Sequence, residues 1–287
     1  MQAAQHRKFQ LFDTHAHIDM IVGSSTSESV FDAQLEGRFP EKVRIRDDFT
    51  ESHDFQMIGI VNPGTSLDSS RKSVQFAIQY DFVYAGVGIH PNNTGKVTSN
   101  DWSEIVELSK NQYVTAIGET GLDRYWDKVP FEIQLQYFEQ HLDLARERGL
   151  PIIVHSRDCD EDMLTALSNQ AKVSQIFGII HSFSSIPRVA ERYLDMGLYI
   201  SFSGAVTYTN QKFALLRESA KIVPENRLLI ETDSPFLIPH PYRGKLDNNM
   251  PLMTAFVAKT LADLRGTTIE SIAKATTANA NKIFRKK

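Results

Sequence analysis

The sequence places histidines and acidic residues directly after short apolar runs that are typical of β-strands. The first run ends in FDTHAH, which contains His15 and His17. Because side chains alternate between the two faces of a strand, both imidazoles point the same way, with Asp13 behind them. Four later runs are also followed by a potential ligand, namely Glu119, His155, His181 and Asp233. Imidazole and carboxylate at six such positions indicate a site for a divalent metal ion.

The runs that carry these side chains predict the fold. Eight segments rich in β-branched and aromatic residues alternate with segments of helical spacing, and most lack polar alternation, as in strands covered on both faces. They are residues 9–14, 57–61, 82–88, 114–118, 151–155, 177–181, 198–203 and 228–232. Eight alternations in 287 residues predict an α/β protein, a (β/α)8 TIM-type barrel. Barrel chemistry lies at the C-terminal ends of the strands, where all six candidates fall.

Two helices have predicted ends. Residues 130–148 place apolar side chains along one face, with Pro130 suited to the first turn and Gly149 to the end. Thr267 and Glu270 form a potential capping box for a C-terminal helix.

A doubly wound open sheet is the competing architecture. It would normally carry a glycine-rich phosphate turn after the first strand, where this sequence has histidines.

The chain is predicted to form a single domain over residues 1–287, since it shows no internal repeat or low-complexity linker. Residues 24–56 stand out as a long polar insertion between the first two strands. Two interpretations are open, a lid over the site or a solvated flap with no role. The insertion holds eight acidic and four basic residues, which accounts for the whole net charge of -4. Net charge therefore does not exclude a nucleic-acid substrate.

The sequence indicates a cytoplasmic protein without membrane association. Its first residues lack the apolar stretch of a signal peptide, and no run approaches the roughly 18 apolar residues that span a bilayer. The single cysteine, Cys159, permits no internal disulfide, in agreement with a reducing compartment. No obligate protein partner is evident.

Seven segments make the chain similar to the TatD-like family of metal-dependent deoxyribonucleases, within the amidohydrolase superfamily. They are DTHAHID at 13–19, GIHP at 88–91, GETGLD at 118–123, PIIVHSRD at 151–158, HSFS at 181–184, ETDSPFL at 231–237 and RGK at 243–245. The resemblance implies a TIM-type barrel that hydrolyses phosphodiester bonds in DNA. It also implies the same six metal ligands, His15, His17, Glu119, His155, His181 and Asp233.

The ligand set suits one or two divalent cations, with Zn, Mn and Mg as the candidates. His15, His17 and Asp233 would hold one cation, His155 and His181 the other, and Glu119 would bridge them. Asp233 is expected to act also as the base that accepts a proton from the attacking water, with a plain ligand role as the alternative. Glu119 and Asp233 are thus the predicted catalytic residues.

Substrate contacts are predicted around the pocket mouth. The candidates are His90, Arg157 and Arg243, because guanidinium groups pair well with phosphate. Four aromatic residues near the same loops could stack on bases or pack in the core, namely Tyr125, Trp126, Phe183 and Tyr242. For Arg124, an ion pair with Asp123 or Asp127 is the alternative to a phosphate contact.

The sequence therefore predicts a metal-dependent deoxyribonuclease that trims single strands from an end by a metal-activated water. The alternatives are a hydrolase of a small-molecule amide, ester or phosphate ester, and a non-catalytic barrel. Two departures from the family pattern bear on substrate preference. Ser182 and Ser185 stand where the family has Cys and Gly, and LDNNMP replaces the family's NEP.

Overall fold

Eight parallel strands form the centre of the molecule. The computed structural model describes residues 8–22, 38–39, 43, 49–50, 53–126 and 128–284. The strands pair in chain order and are β1 Lys8–Asp13, β2 Asp54–Asn62, β3 Val83–Val87, β4 Val114–Asp123, β5 Ile152–Arg157, β6 Gly178–Ile180, β7 Tyr199–Phe202 and β8 Leu228–Ile230. This order confirms the (β/α)8 barrel. It excludes the doubly wound sheet, in which the strand order reverses.

Helices connect the strands, because parallel neighbours require a crossover from the end of one strand to the start of the next. The helices of the described residues are α1 Ile18–Val22, α2 Leu67–Gln79, α3 Ser99–Leu108, α4 Phe131–Arg148, α5 Asp160–Ala171, α6 Pro187–Asp195, α7 Ala214–Ile222, α8 Thr254–Arg265 and α9 Ile269–Ile283. Within these residues, no helix has the length and apolar character needed to cross a membrane.

The barrel closes between the segments that follow β1 and β8. The N–H of Asp233 donates to the carbonyl of His15 at 2.9 Å, and the N–H of His17 donates to the carbonyl of Ser234 at 2.8 Å. Ala16 and Ser234 form a parallel bridge between the same segments. Closure therefore holds three of the predicted ligands side by side.

The C-terminal helix covers the opposite end of the barrel. Asn279 on α9 donates its amide N–H to the carbonyl of Leu228, at the start of β8, at 2.9 Å. Phe284 stacks on Phe12 inside the barrel, with ring centroids 6.3 Å apart. The inner cluster comprises Phe12, Val61, Ala116, Ile153, Ile179, Tyr199, Leu229, Ala280, Ile283 and Phe284. The barrel is thus a packed core, and its C-terminal end remains for the site.

The predicted capping box of the last helix was wrong by one residue. The residue before α9 is Thr268, whose hydroxyl accepts the N–H of Ser271 at 3.2 Å. Thr267 and Thr268 are equivalent in sequence as capping residues, and the fold selects the second. Helix α4 begins at Phe131, one residue after Pro130, and ends before Gly149 as predicted.

Strand β4 is longer than predicted. It continues through Asp123 rather than ending at Gly118, with a register shift against β5 between Ile117 and Thr120. Glu119 therefore lies inside an irregular part of the strand, not directly after its end. Such irregularities redirect side chains near sites, a feature that composition alone does not reveal.

Residues 24–56 lie mostly outside the described residues, so the choice between lid and flap stays untested. Four described members of this insertion are buried, namely Phe39, Val43, Phe49 and Phe55. The ring centroid of Phe39 lies 5.9 Å from that of Phe256, and that of Phe49 lies 5.3 Å from that of Phe55 on β2. These parts of the insertion pack against the barrel. These side chains are therefore packed rather than solvated.

His141 on α4 makes the stability of the fold depend on pH. Its Nδ1–H donates to the carbonyl of Tyr137 at 2.6 Å, and its Nε2 accepts the N–H of Ile89 at 3.0 Å. This arrangement requires a neutral ring, and burial lowers the pKa of His141 to about 4. The unfolded chain, with a histidine pKa of about 6.5, binds the proton first as pH falls. Unfolding therefore becomes easier on acidification.

We expect acidification from about pH 7.5 to about pH 5 to cost roughly 2 kcal/mol of unfolding free energy through His141. His141→Gln keeps an acceptor for the N–H of Ile89 and removes the titrating group. Over the same pH interval, the decrease in its unfolding free energy should be about 2 kcal/mol smaller than that of the wild-type protein. Urea unfolding of both proteins with chelator present measures the difference, since the other histidines are common to both. Equal pH dependence in the two proteins would contradict the assignment.

Candidate metal centre

Four ligand atoms surround one point at the C-terminal end of the barrel. His15 Nε2 lies 3.3 Å from His17 Nε2, 3.4 Å from Glu119 Oε2 and 3.8 Å from Asp233 Oδ1. His17 Nε2 lies 3.7 Å from Glu119 Oε2 and 3.4 Å from Asp233 Oδ1. Tetrahedral ligands about 2.0–2.1 Å from a zinc ion are separated by roughly 3.4 Å. The four side chains therefore fit a divalent cation.

Glu119 also belongs to a second group of ligand atoms. Its Oε1 lies 2.9 Å from His155 Nδ1 and 2.9 Å from His181 Nε2. The two nitrogens are 3.2 Å apart. His90 stands at the edge of this group, with its Nε2 3.5 Å from the same oxygen. Glu119 thus directs one carboxylate oxygen at each group, as a bridging ligand must.

Two outer carboxylates determine which nitrogens face the second group. Asp123 Oδ2 lies 3.1 Å from His155 Nε2, and Glu231 Oε1 lies 3.3 Å from His181 Nδ1. Each carboxylate can accept the N–H of its histidine, so that the opposite ring nitrogen would offer its lone pair to a bound cation. The two ring nitrogens and a carboxylate oxygen of Glu119 lie together there. This arrangement of electron-pair donors suits a cation.

The centre is buried and its charges are strongly coupled. Burial would raise the pKa of Glu119, but the imidazoles of His181, His90 and His15 outweigh it and hold that pKa well below its usual range. Burial opposes ionisation of Asp233 as well, and His17 and His15 lower its pKa. Both carboxylates are therefore ionised at neutral pH and available as ligands.

Comparison with known proteins identifies the family. The chain matches the family model described as TatD related DNase over residues 12–285. The chain belongs to the TatD-related DNase family. YabD of Bacillus subtilis, described as an uncharacterized metal-dependent hydrolase, is 40% identical over 275 residues, 96% of this chain and 99% of YabD. YcfH of Escherichia coli K12, described in the same way, is 40% identical over 204 residues, 71% of this chain and 74% of YcfH.

A solved relative agrees with this assignment. The TatD homolog YJJV from Escherichia coli K12 superposes with a TM-score of 0.80 at 26% identity, covering 96% of this chain and 97% of YJJV. A TatD-family hydrolase from Entamoeba histolytica shares the fold, with a TM-score of 0.77 at 19% identity over 98% of this chain and all of that chain. This TatD-family protein is therefore a metal-dependent hydrolase with a cluster of side chains able to hold metal.

The three predicted substrate contacts lie at different depths in the TatD-family site. His90 is largely buried, and its Nδ1 accepts the N–H of Asn92 at 3.1 Å, so its Nε2 carries the proton and faces Glu119. Burial lowers the pKa of His90 to about 3. Arg157 and Arg243 are exposed. His90 therefore belongs to the centre itself, whereas the two arginines lie at the surface.

Two alternatives were predicted for several aromatic and charged side chains, and the structure decides between them for Phe183, Tyr242 and Arg124. Phe183 and Tyr242 are buried in the core, so base stacking was wrong for both. Tyr125 and Trp126 are exposed. Arg124 contacts Asp162 with two nitrogens, at 2.7 and 3.0 Å, instead of the predicted Asp123. The other predicted partner, Asp127, lies outside the described residues.

The sequence prediction omitted two residues of the TatD-family site, Asp123 and Glu231. Both are buried carboxylates, and each contacts a ligand histidine. A signal for them was present in the spacing. Asp123 follows Glu119 by four residues and Glu231 precedes Asp233 by two, so in an extended strand each pair shares a face.

Gly121 allows β4 to approach the ligand strand β5 closely. It has a φ of +143°, and a Cβ added there would lie 2.0 Å from the carbonyl oxygen of His155. We expect Gly121→Ala to lower the free energy of unfolding by more than about 3 kcal/mol, since strain in φ alone costs on the order of 1–3 kcal/mol. Metal affinity should fall with it, because His155 must move.

The matched control for this prediction is Gly149→Ala. Gly149 has a φ of +62°, and nothing lies within 4 Å of an added Cβ. Its substitution should cost about 1–2 kcal/mol from the left-handed backbone alone and leave metal affinity unchanged. Denaturant unfolding and metal titration of both variants separate the two effects. Equal losses in the two variants would show that contact with His155 is unimportant.

Proposed function

We propose that this TatD-family hydrolase cleaves phosphodiester bonds of DNA and removes nucleotides from the ends of single strands. The observation that carries the proposal is Glu119, which directs one oxygen at His15 and His17 and the other at His155 and His181. Two ligand groups joined by one carboxylate are typical of enzymes that act on phosphate esters. The description of the family as DNases supports the same substrate.

The chain's own residues have distinct tasks in this reaction. Divalent cations, when bound, supply charge neutralisation for the phosphate and a lower pKa for the attacking water. Asp233, the most exposed of the carboxylates in the two ligand groups, accepts the proton from that water. Glu119 holds the two ligand groups together. His90 keeps a fixed Nε2–H directed into the centre, where it can donate to an oxygen of the phosphate.

Arg157 and Arg243 bind the substrate's phosphates in this proposal. Arg157 follows the ligand His155 by two residues, and its guanidinium lies over the ring of Tyr125 at 3.8 Å. Arg243 lies over Tyr208 at 4.3 Å, on the loop after β8. Rings in this position hold a guanidinium in place while its N–H groups remain free for phosphate. The end of the DNA strand enters between the loops that carry Arg157 and Arg243. This entry favours single-stranded DNA over duplex DNA.

The test is degradation of single-stranded DNA labelled at the 5′ end, in one series, and at the 3′ end, in another. Purified protein is first treated with chelator, and Mg²⁺, Mn²⁺ and Zn²⁺ are then added back separately. We expect no cleavage after chelation, cleavage with at least one metal, and a product ladder that gives the direction. His15→Ala serves as the inactive control, and a folded protein by circular dichroism excludes misfolding.

Two results would overturn the proposal. Full activity of His15→Ala would show that the nuclease activity comes from another protein in the preparation. Absence of cleavage with every metal would favour the alternative, hydrolysis of an amide, ester or phosphate ester in a small molecule, because the same chemistry acts on carbonyl and phosphoryl centres. A panel of such esters and amides with the metal-loaded protein would then identify the bond.

A further inference from the structure

Two large aromatic side chains lie exposed next to the metal centre. Tyr125 and Trp126 follow β4 and are 53% and 44% exposed. Their rings are 4.9 Å apart and nearly perpendicular, at 88°. Large aromatic residues are costly to leave in water, and adjacent exposed ones often mark a binding surface. We refer to the two rings as the Tyr125–Trp126 platform.

A single carboxylate fixes the platform relative to the ligands. Asp123 Oδ1 accepts the backbone N–H of Tyr125 at 2.9 Å and that of Trp126 at 3.0 Å. The other oxygen of Asp123 accepts from the ligand His155, as described above, and from the amide of Asn92 at 3.0 Å. The position of the platform is therefore tied to the centre through one residue, so the two would act on the same bound molecule.

Two cationic groups lie against the platform and would favour a negatively charged ligand. Arg157 lies 3.8 Å from the ring centroid of Tyr125 and 5.8 Å from that of Trp126, and Lys128 Nζ lies 4.8 Å from Trp126. Among the residues that the structure describes, Arg157 forms no ion pair, whereas the charge of the neighbouring Arg124 is neutralised by Asp162. A ligand that satisfies this surface carries a flat ring and an anionic group.

We propose that Tyr125, Trp126 and Arg157 form a subsite for one nucleotide of the strand, next to the bond that is cleaved. The rings take the base and the guanidinium takes the phosphate. This inference rests on the proposed nuclease function and adds a specificity to it: the strand end is recognised through a base. Every base can stack on an aromatic ring, so the subsite discriminates little among bases. It instead prefers a nucleotide with a base to an abasic one.

The experiment compares two single-stranded oligonucleotides, one with all bases present and one with abasic sugars at the last positions of the cleaved end. For the wild-type enzyme we expect KM to be about tenfold higher for the abasic strand, from the loss of stacking. In Trp126→Ala and Tyr125→Ala the KM for the normal strand rises and the ratio of the two KM values approaches one. Arg157→Ala raises KM for both strands, and Arg157→Lys restores part of the loss.

The matched control is Phe177→Ala. Phe177 is 42% exposed but precedes β6, at the opposite end of the barrel from the metal centre. This variant should keep the wild-type ratio of KM values. Wild-type preference retained in both platform variants would overturn the subsite while leaving the nuclease function intact. Failure of the wild-type enzyme to cleave any DNA would overturn the nuclease function, and the subsite with it.

Binding can be measured independently of turnover, because the chain has two tryptophans. In Trp102→Phe, Trp126 is the remaining one, and its fluorescence reports on the platform directly. Titration of this chelated protein with the normal oligonucleotide should quench the emission, and the abasic strand should quench it far less. Equal quenching by both strands, or none, would contradict stacking of a base on Trp126.

Discussion

Glu119→Gln is expected to lose one equivalent of bound metal and at least about 10³-fold in kcat. Glutamine offers one carbonyl oxygen as a ligand, whereas Glu119 directs Oε2 at His15 and His17 and Oε1 at His155 and His181. One ligand group must therefore lose its bridging atom together with the negative charge. Reactions that depend on two cations held by one carboxylate lose most of their rate when the bridge is broken.

The measurements are metal content by mass spectrometry, metal affinity by titration, and turnover of labelled single-stranded DNA. Glu107→Gln is the matched control, since Glu107 is exposed and its carboxylate forms a surface ion pair with Lys110. The free energy of unfolding of the chelated Glu119→Gln protein should fall, because the histidines that hold the pKa of Glu119 well below its usual range lose their charged partner. Circular dichroism of the variant therefore accompanies the metal measurements. Two equivalents of metal with unchanged affinity and wild-type turnover in this variant would refute the bridging role.

The fold and the ligand set were accessible from sequence because both depend on local regularities. Alternation of strand and helix predicts the barrel, and the period of two along a strand places His15 and His17 on one face. Barrel topology then brings the ends of neighbouring strands together. His155 Nδ1 therefore lies 3.2 Å from His181 Nε2, although the two residues are 26 positions apart in the sequence. No knowledge of packing is needed for this step.

The remaining features depend on packing that a sequence does not display. Tyr242 and Tyr125 are both aromatic residues beside a predicted ligand loop, yet the first is buried against Phe256 and the second is exposed. The difference arises because Tyr242 packs against Phe256 of α8, whereas Tyr125 lies at the surface beside Trp126 and Arg157. Asp123 was predicted only as an alternative ion-pair partner of Arg124. Its contacts with His155 and with the backbone N–H of Tyr125 form only because β4 extends beyond its predicted end.

Asp233→Asn is expected to lower kcat by about 10²–10⁴-fold and to change KM for DNA by less than about threefold. The side chain is nearly the same size, and the amide oxygen can still face His15 and His17, so a plain ligand would be largely preserved. An amide cannot accept the proton of the attacking water. Asp233 also has a left-handed backbone, with φ at 56°, which asparagine tolerates as well as aspartate does.

The comparison of kcat with metal affinity decides between the two roles of Asp233. If Asp233 is the proton acceptor, its substitution lowers kcat even at saturating metal. If Asp233 is only a ligand, the substitution raises the metal concentration needed for half-maximal activity and leaves kcat at saturating metal unchanged. Asp263→Asn is the control, because that surface aspartate pairs only with Lys259 among described residues. If kcat of Asp233→Asn recovers fully as metal is raised, Asp233 is a ligand alone. The proton of the attacking water must then pass to another group, for which Glu119, the other carboxylate among the six predicted ligands, is the nearest chemical equivalent.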